Sequence, residues 1–219
     1  MLHDRFGELT DRIAIGCVGP GSECFGFDDE ISRDHDWGPA YCLWLTADDY
    51  RKHGKDLQNA YQALPRTFMG FVPRHASPGE EFRVGVCPTV TFYATYTGLD
   101  HPPAGIKEWL PIPETSLATC TNGEVFSDPL GEFSRWRQML LAFYPEDVRL
   151  KKIASRCFTI GQSGQYNLSR SLRRRERFAA QWAVTQFCLD TMSLVFLLNK
   201  RYAPFPKWMH RALKELPLL

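Results

Sequence analysis

The 219-residue chain has no C-x-x-C pair, although it carries seven cysteines, at positions 17, 24, 42, 87, 120, 157 and 188. An odd, scattered set argues against a disulfide scaffold or a zinc site and reads as reduced thiols in a cytoplasm. Charge of either sign is not in excess: 26 Lys and Arg stand against 25 Asp and Glu, for a net charge of +1. Bulk electrostatics therefore give no case for a nucleic-acid or acidic-membrane partner. The opening MLHDRFGELTDR is charged and lacks the apolar core of a leader. No long run is apolar throughout. The most apolar stretch, residues 179–198, contains Gln181, Thr185, Gln186, Asp190, Thr191 and Ser193, so a buried helix is expected rather than a membrane span. Internal repeats and low-complexity segments are absent as well. What remains is 44% hydrophobic and 23% charged, enough for one large domain or two small ones.

The patterning changes near residue 127. Before it, short β-like runs occupy residues 13–18, 41–45 and 82–86. A helix is predicted over 47–64, where Thr46 and Asp49 have capping-box spacing. Another is predicted over 89–97, closed by Gly98. Residues 100–113 hold four prolines and read as irregular. Beyond 127 the spacing is helical: 133–143, then a helix entered at Pro145 and running to about 160, a loop over 161–171, a long helix over 172–202 stopped by Pro204 and Pro206, and a last helix over 207–216. The expected fold is α+β, with a small mixed-sheet domain over residues 1–126 followed by a helical bundle over 127–219.

The stretch GPGSECFGFDDEISRDHDWGP, residues 19–39, crowds acids where a core would want apolar side chains. If residues 33–37 lead into the second strand, Asp34 and Asp36 point to one face and His35 to the other. Two carboxylates one residue apart suit a hard cation such as Mg²⁺, singly or as a pair of ions that supports in-line phosphoryl displacement. Gly21 and Ser22 follow the first strand. Glycine lets the backbone come close to a phosphate there, and Ser22 adds a hydroxyl. Together these features suit a nucleoside triphosphate with its Mg²⁺.

Gly-Ser, eleven intervening residues and then D-x-D resembles the signature of the DNA-polymerase-β-like nucleotidyltransferase superfamily. The longer string, with GQYN and LLNKRYAPFPKW later, is similar to an uncharacterised bacterial family within it, known as a domain of unknown function. The resemblance implies that Gly21 and Ser22 contact the triphosphate and that Asp34 and Asp36 bind Mg²⁺. It also implies a short mixed sheet followed by a helical domain, and transfer of a nucleoside monophosphate from NTP to a hydroxyl acceptor. Two departures stand out. The leading helix is abbreviated. The third carboxylate of the superfamily, expected on the EEFRVGV strand, falls at Gly85; Glu81 lies on the same face but about 6.6–6.8 Å along the strand.

Other residues carry alternatives. Asp28, Asp29 and Glu30 suit a solvated or capping face. Glu124 and Asp128 stand near a strand-ending turn or extend the metal site. The arginines 173, 174, 175 and 177 fan around a helix start and give only thin grounds for RNA binding. Gln165, Tyr166, Asn167 and Arg170 suit an acceptor or packing within a loop. Lys207 is a candidate for the triphosphate. The leading expectation is a cytoplasmic nucleotidyltransferase with Mg²⁺ and NTP, an unidentified acceptor and no membrane or nucleic-acid partner. Its rival is a catalytically degenerate nucleotide-binding or partner-binding module on the same scaffold.

Overall fold

A computed structural model describes residues 2–34, 37–65, 67–72, 74 and 83–218, with the side chains of residues 2–4 and 34 outside that description. The fold is α+β. In chain order the elements are α1 (Leu2–Thr10), β1 (Ala14–Cys17), β2 (Cys42–Leu45), α2 (Ala47–Gln62), β3 (Gly85–Pro88), α3 (Thr89–Thr97), α4 (Ile106–Trp109), α5 (Glu114–Thr121), β4 (Glu124–Ser127), α6 (Glu132–Leu141), α7 (Glu146–Ile160), α8 (Leu168–Arg173), α9 (Arg177–Leu198) and α10 (Pro206–Leu213). Two compact units result: Met1–Pro103 with Thr119–Ala142, and Ala104–Ala118 with Phe143–Leu219. Residue 127 closes β4, and the helix after it, α6, still belongs to the first unit.

The first unit is built on a mixed sheet of order β3-β2-β1-β4. β1 runs antiparallel to both β2 and β4, and β2 runs parallel to β3. β2 is buried on both faces, and its alternation divides the core in two. Leu43 and Leu45 join Leu9, Ile13, Leu57 and Val86 in one cluster. Trp44 lies in the other, stacked on Phe133 at 3.8 Å, with Phe92 edge-on at 5.4 Å. Gly16 is required by that packing. A Cβ there would sit 2.5 Å from the Glu124 carbonyl oxygen and 2.9 Å from the Trp44 ring. Thr46 caps α2 by accepting from the Asp49 amide at 3.1 Å, and Gly98 ends α3 in the left-handed region, both as the sequence predicts.

In the second unit α7, α8 and α10 pack along α9. Four expectations change here. Residues 161–167 form a π-helical turn that joins α7 to α8 rather than a loop. Ser163 donates back to the Thr159 carbonyl at 2.8 Å, and Gly164 packs so closely that an added Cβ would meet the Phe187 ring at 2.6 Å. The long helix is broken at Arg174–Glu176, where Arg175 takes φ +61 and the Glu176 amide donates to the Ser171 carbonyl. The arginines 173–175 thus close α8, where cations favour a helix end, instead of opening a helix. Residues 106–109 fit a single helical turn between two proline pairs. By length and composition alone α9 is long and apolar enough to cross a membrane, and only 28% of its most apolar window is buried, with Phe178 and Trp182 exposed, so the expectation of a buried helix is met only in part.

Candidate functional site

The Gly21–Ser22 loop leaves the end of β1 and enters a 3₁₀ turn, Glu23–Phe25, with Ser22 at its cap position. It is braced from outside. Asn122 donates to the Gly19 carbonyl at 2.7 Å and accepts the Gly19 amide at 3.0 Å. The Gly123 amide donates to the Cys24 carbonyl at 2.8 Å. Arg137 in turn donates to the carbonyls of Thr121, Asn122 and Gly123 at 2.8–3.0 Å. Gly123 has φ +61, and a Cβ there would lie 1.9 Å from the Cys17 carbonyl oxygen. These positioning residues were missed from sequence. Their one local signal was the Asn-Gly pair, which favours a turn.

Asp28 ties the loop to the returning chain. Its carboxylate accepts from the Ser22 hydroxyl at 2.7 Å and from the Trp37 indole at 2.9 Å. Trp37 also meets Phe71 edge-on at 5.0 Å, and Arg33 lies 5.1 Å over its ring. Asp29 caps the next turn, accepting from the amides of Ile31 and Ser32 at 3.1 Å. The capping alternative therefore describes Asp29. The same cap changes the expectation for Asp34. Residues 31–34 form a 3₁₀ turn and β2 begins only at Cys42, so strand alternation does not govern Asp34. The Asp34 side chain, His35, Asp36 and Glu81 lie outside the described residues.

Above the loop sits a charge pair absent from the sequence reading. Arg74, whose side chain is 7% exposed, is paired with Glu23. The Glu23 carboxylate folds over Gly21, where any Cβ would collide with it at 2.0 Å. Gly21 therefore admits a close anion, here the chain's own. The cavity at this point is lined by Cys17, Gly21, Glu23, Cys24, Cys42 and Arg74 among others, and its free centre is ≈ 30 Å³. That holds one water-sized body, not a nucleotide.

Gly85 takes φ +87, and a Cβ would lie 2.8 Å from the Gln58 side-chain oxygen, which accepts the Val86 amide at 2.9 Å. This strand position is shaped for glycine. Asp128 accepts from the Ser134 amide at 2.7 Å and so starts α6. Because Ser127 pairs with Ile15 and Glu124 with Cys17, Asp128 belongs to the opposite end of the sheet from the loop, and Glu124 to the near end.

The remaining candidates lie in the second unit. Tyr166 and Asn167 belong to the π turn. Arg170, on α8, donates to the Tyr166 hydroxyl at 2.5 Å and stacks over its ring. Asn167 lines a cleft of ≈ 370 Å³ with Phe178 and Trp182. Lys207 opens α10 and lies 5.4 Å over the Trp208 ring. This unit also holds a buried network that the sequence did not announce. Arg156 donates to Asp190 at 2.7 Å and to Glu114 at 3.3 Å; Ser193 donates to Glu114 at 2.9 Å and Gln186 to Asp190 at 2.9 Å. Burial works against the Arg156 charge, but the two carboxylates outweigh it and raise its pKa. Lys152, which lines a second cleft of ≈ 380 Å³ with Glu114, Arg156 and Asp190, has its pKa lowered by burial.

A family model described as "Domain of unknown function (DUF4037)" matches residues 109–209. Over that stretch the chain is similar to this uncharacterised family, and the match takes in the Arg156 network while leaving the Gly21–Ser22 loop outside. No curated protein and no solved structure matches the chain.

Proposed function

We propose that the chain is a Mg²⁺-dependent nucleotidyltransferase that moves a nucleoside monophosphate from NTP to a hydroxyl acceptor. The observation that carries this reading is the Asp28 bridge, which joins Ser22 of the Gly-Ser loop to Trp37 just after the D-x-D run. Gly21 gives the triphosphate its closest approach to backbone. Arg74 exchanges Glu23 for a phosphate oxygen, and Ser22 turns its hydroxyl from Asp28 to the same group. Asp34 and Asp36 are the residues that would hold Mg²⁺, which supplies charge neutralisation at the phosphates. The acceptor hydroxyl gives its proton to solvent as its oxygen attacks the α-phosphorus, the bond from that phosphorus to the α–β bridging oxygen breaks, and pyrophosphate leaves. The exposed Phe68–Phe71 turn beside Trp37 offers aromatic surface to a base. Seven unpaired thiols fit a reducing cytoplasm.

Gly85 favours one second reading, a module that binds NTP without turning it over. Glu124, exposed at the near end of β4, is the remaining described candidate for the third carboxylate. Pyrophosphate release separates the two. The enzyme reading expects release with NTP, Mg²⁺ and a panel of hydroxyl acceptors, abolished by Asp34→Asn. Binding without release across the panel supports the module instead.

A further inference from the structure

The sequence argued against zinc because no two cysteines share a finger-like spacing. The loop overrides that spacing by folding Cys17, at the end of β1, onto Cys24, in the 3₁₀ turn. Their Sγ atoms lie 3.6 Å apart. Ligand atoms of Cys17, Glu23 and Cys24 all lie within 4.8 Å of one another. Tetrahedral zinc with Zn–S bonds of about 2.3 Å sets its sulfurs about 3.8 Å apart, so the thiol pair already has the spacing of one edge of such a site. The enclosed space beside them is ≈ 30 Å³, the size of a single ion or water, and Cys42 lines it too.

From this geometry we propose a thiophilic divalent-cation site, best suited to Zn²⁺, with Cys17, Cys24 and Glu23 as ligands and a fourth position open to water or Cys42. It does not rest on the nucleotidyltransferase reading or on the hard-cation role given to Asp34 and Asp36, although a metal here and a triphosphate over Gly21 would compete for Glu23 and Arg74. Thiolates select zinc over Mg²⁺. The ion pair with Arg74 is compatible with the site. Arg74 is paired with Glu23 Oε1, the oxygen that also lies 3.8 Å from the Cys24 sulfur, so a bound metal shares that carboxylate with the guanidinium, in the manner of the outer groups that orient metal-bound carboxylates. Binding releases the thiol protons. A metal here would staple the two ends of the loop that carries Gly21 and Ser22.

The test uses the full chain under a phosphine reductant, titrated with Co²⁺ alone. The expected result is one equivalent bound with a thiolate-to-cobalt charge-transfer band that Zn²⁺ removes and Mg²⁺ does not. Cys17→Ser and Cys24→Ser each abolish the band, Glu23→Gln weakens binding about tenfold, and the double variant Cys157→Ser/Cys188→Ser retains it. Wild-type protein gives a readout that needs no variant. Zn²⁺ should slow alkylation of Cys17 and Cys24, followed by mass spectrometry, and leave Cys157 and Cys188 unchanged. No band in the reduced wild type, a band that survives both loop substitutions, or alkylation of Cys17 unaffected by Zn²⁺ overturns the proposal.

Discussion

Gly85→Asp is the perturbation that bears most directly on the missing third carboxylate. Two costs follow from the local geometry. A residue with a Cβ at φ +87 is strained by about 1–2 kcal/mol. The new Cβ also meets the Gln58 oxygen at 2.8 Å and pushes it from the Val86 amide. Gln58 is a flexible side chain, so the clash itself relaxes cheaply. The hydrogen bond does not survive, and a buried amide left without a partner costs about 1–3 kcal/mol. The expected loss is about 3 kcal/mol in urea unfolding followed by tryptophan fluorescence. Gly85→Ala should lose nearly as much, because both costs begin at Cβ. Neither variant should gain NTP turnover over wild type. A loss below about 0.5 kcal/mol, or a Gly85→Asp protein that turns over NTP faster, refutes the reasoning about this strand.

Other outcomes follow from the same structure. Asn122→Ala removes both bonds to Gly19 and should cost about 1–2 kcal/mol in urea unfolding while weakening NTP binding about tenfold by calorimetry. Arg156→Met leaves Glu114 and Asp190 buried without their cation and should cost about 3–5 kcal/mol by thermal unfolding, with Glu114→Gln/Asp190→Asn in the same background recovering part of it. Asp49 has a pH signature. Burial works against its carboxylate, but hydrogen bonds from Arg12 and Thr46 outweigh that and hold its pKa below the usual aspartate value. A depressed carboxylate stabilises the fold fully above that ordinary value and loses its contribution as pH falls through the folded one. The stability gap between wild type and Asp49→Asn should therefore be constant from pH 7 to about 5 and shrink below pH 4. A gap that widens on acidification contradicts the assignment.

Much of the fold was legible because its signals are local. Thr46 with Asp49, Gly98 after α3 and the prolines after α9 each act within a few residues of themselves, and each behaves as its chemistry requires. The errors arose where a partner distant in sequence decides. The break at Arg175 carries no glycine or proline, so nothing local announces it. The glycines at 161 and 164 looked like a loop, yet Gly164 is there because Phe187 leaves no room for a side chain. β4 is four residues long and mostly exposed, so it shows little hydrophobic signal. In the candidate site, Gly21 and Ser22 were readable as a motif. Arg74, Asn122 and Arg137 were not, because their value comes entirely from long-range contacts. Asp34 was visible as a residue type, but its 3₁₀ setting depends on the Asp29 cap rather than on strand alternation.

Calorimetry of the full chain with ATP, GTP, CTP and UTP, with and without Mg²⁺, tests the central claim most directly, with Arg74→Met in parallel. The account predicts that at least one triphosphate binds only when Mg²⁺ is present, and at least tenfold more weakly to Arg74→Met than to wild type. No Mg²⁺-dependent heat with any of the four, from wild-type protein shown to be folded by circular dichroism, would contradict it.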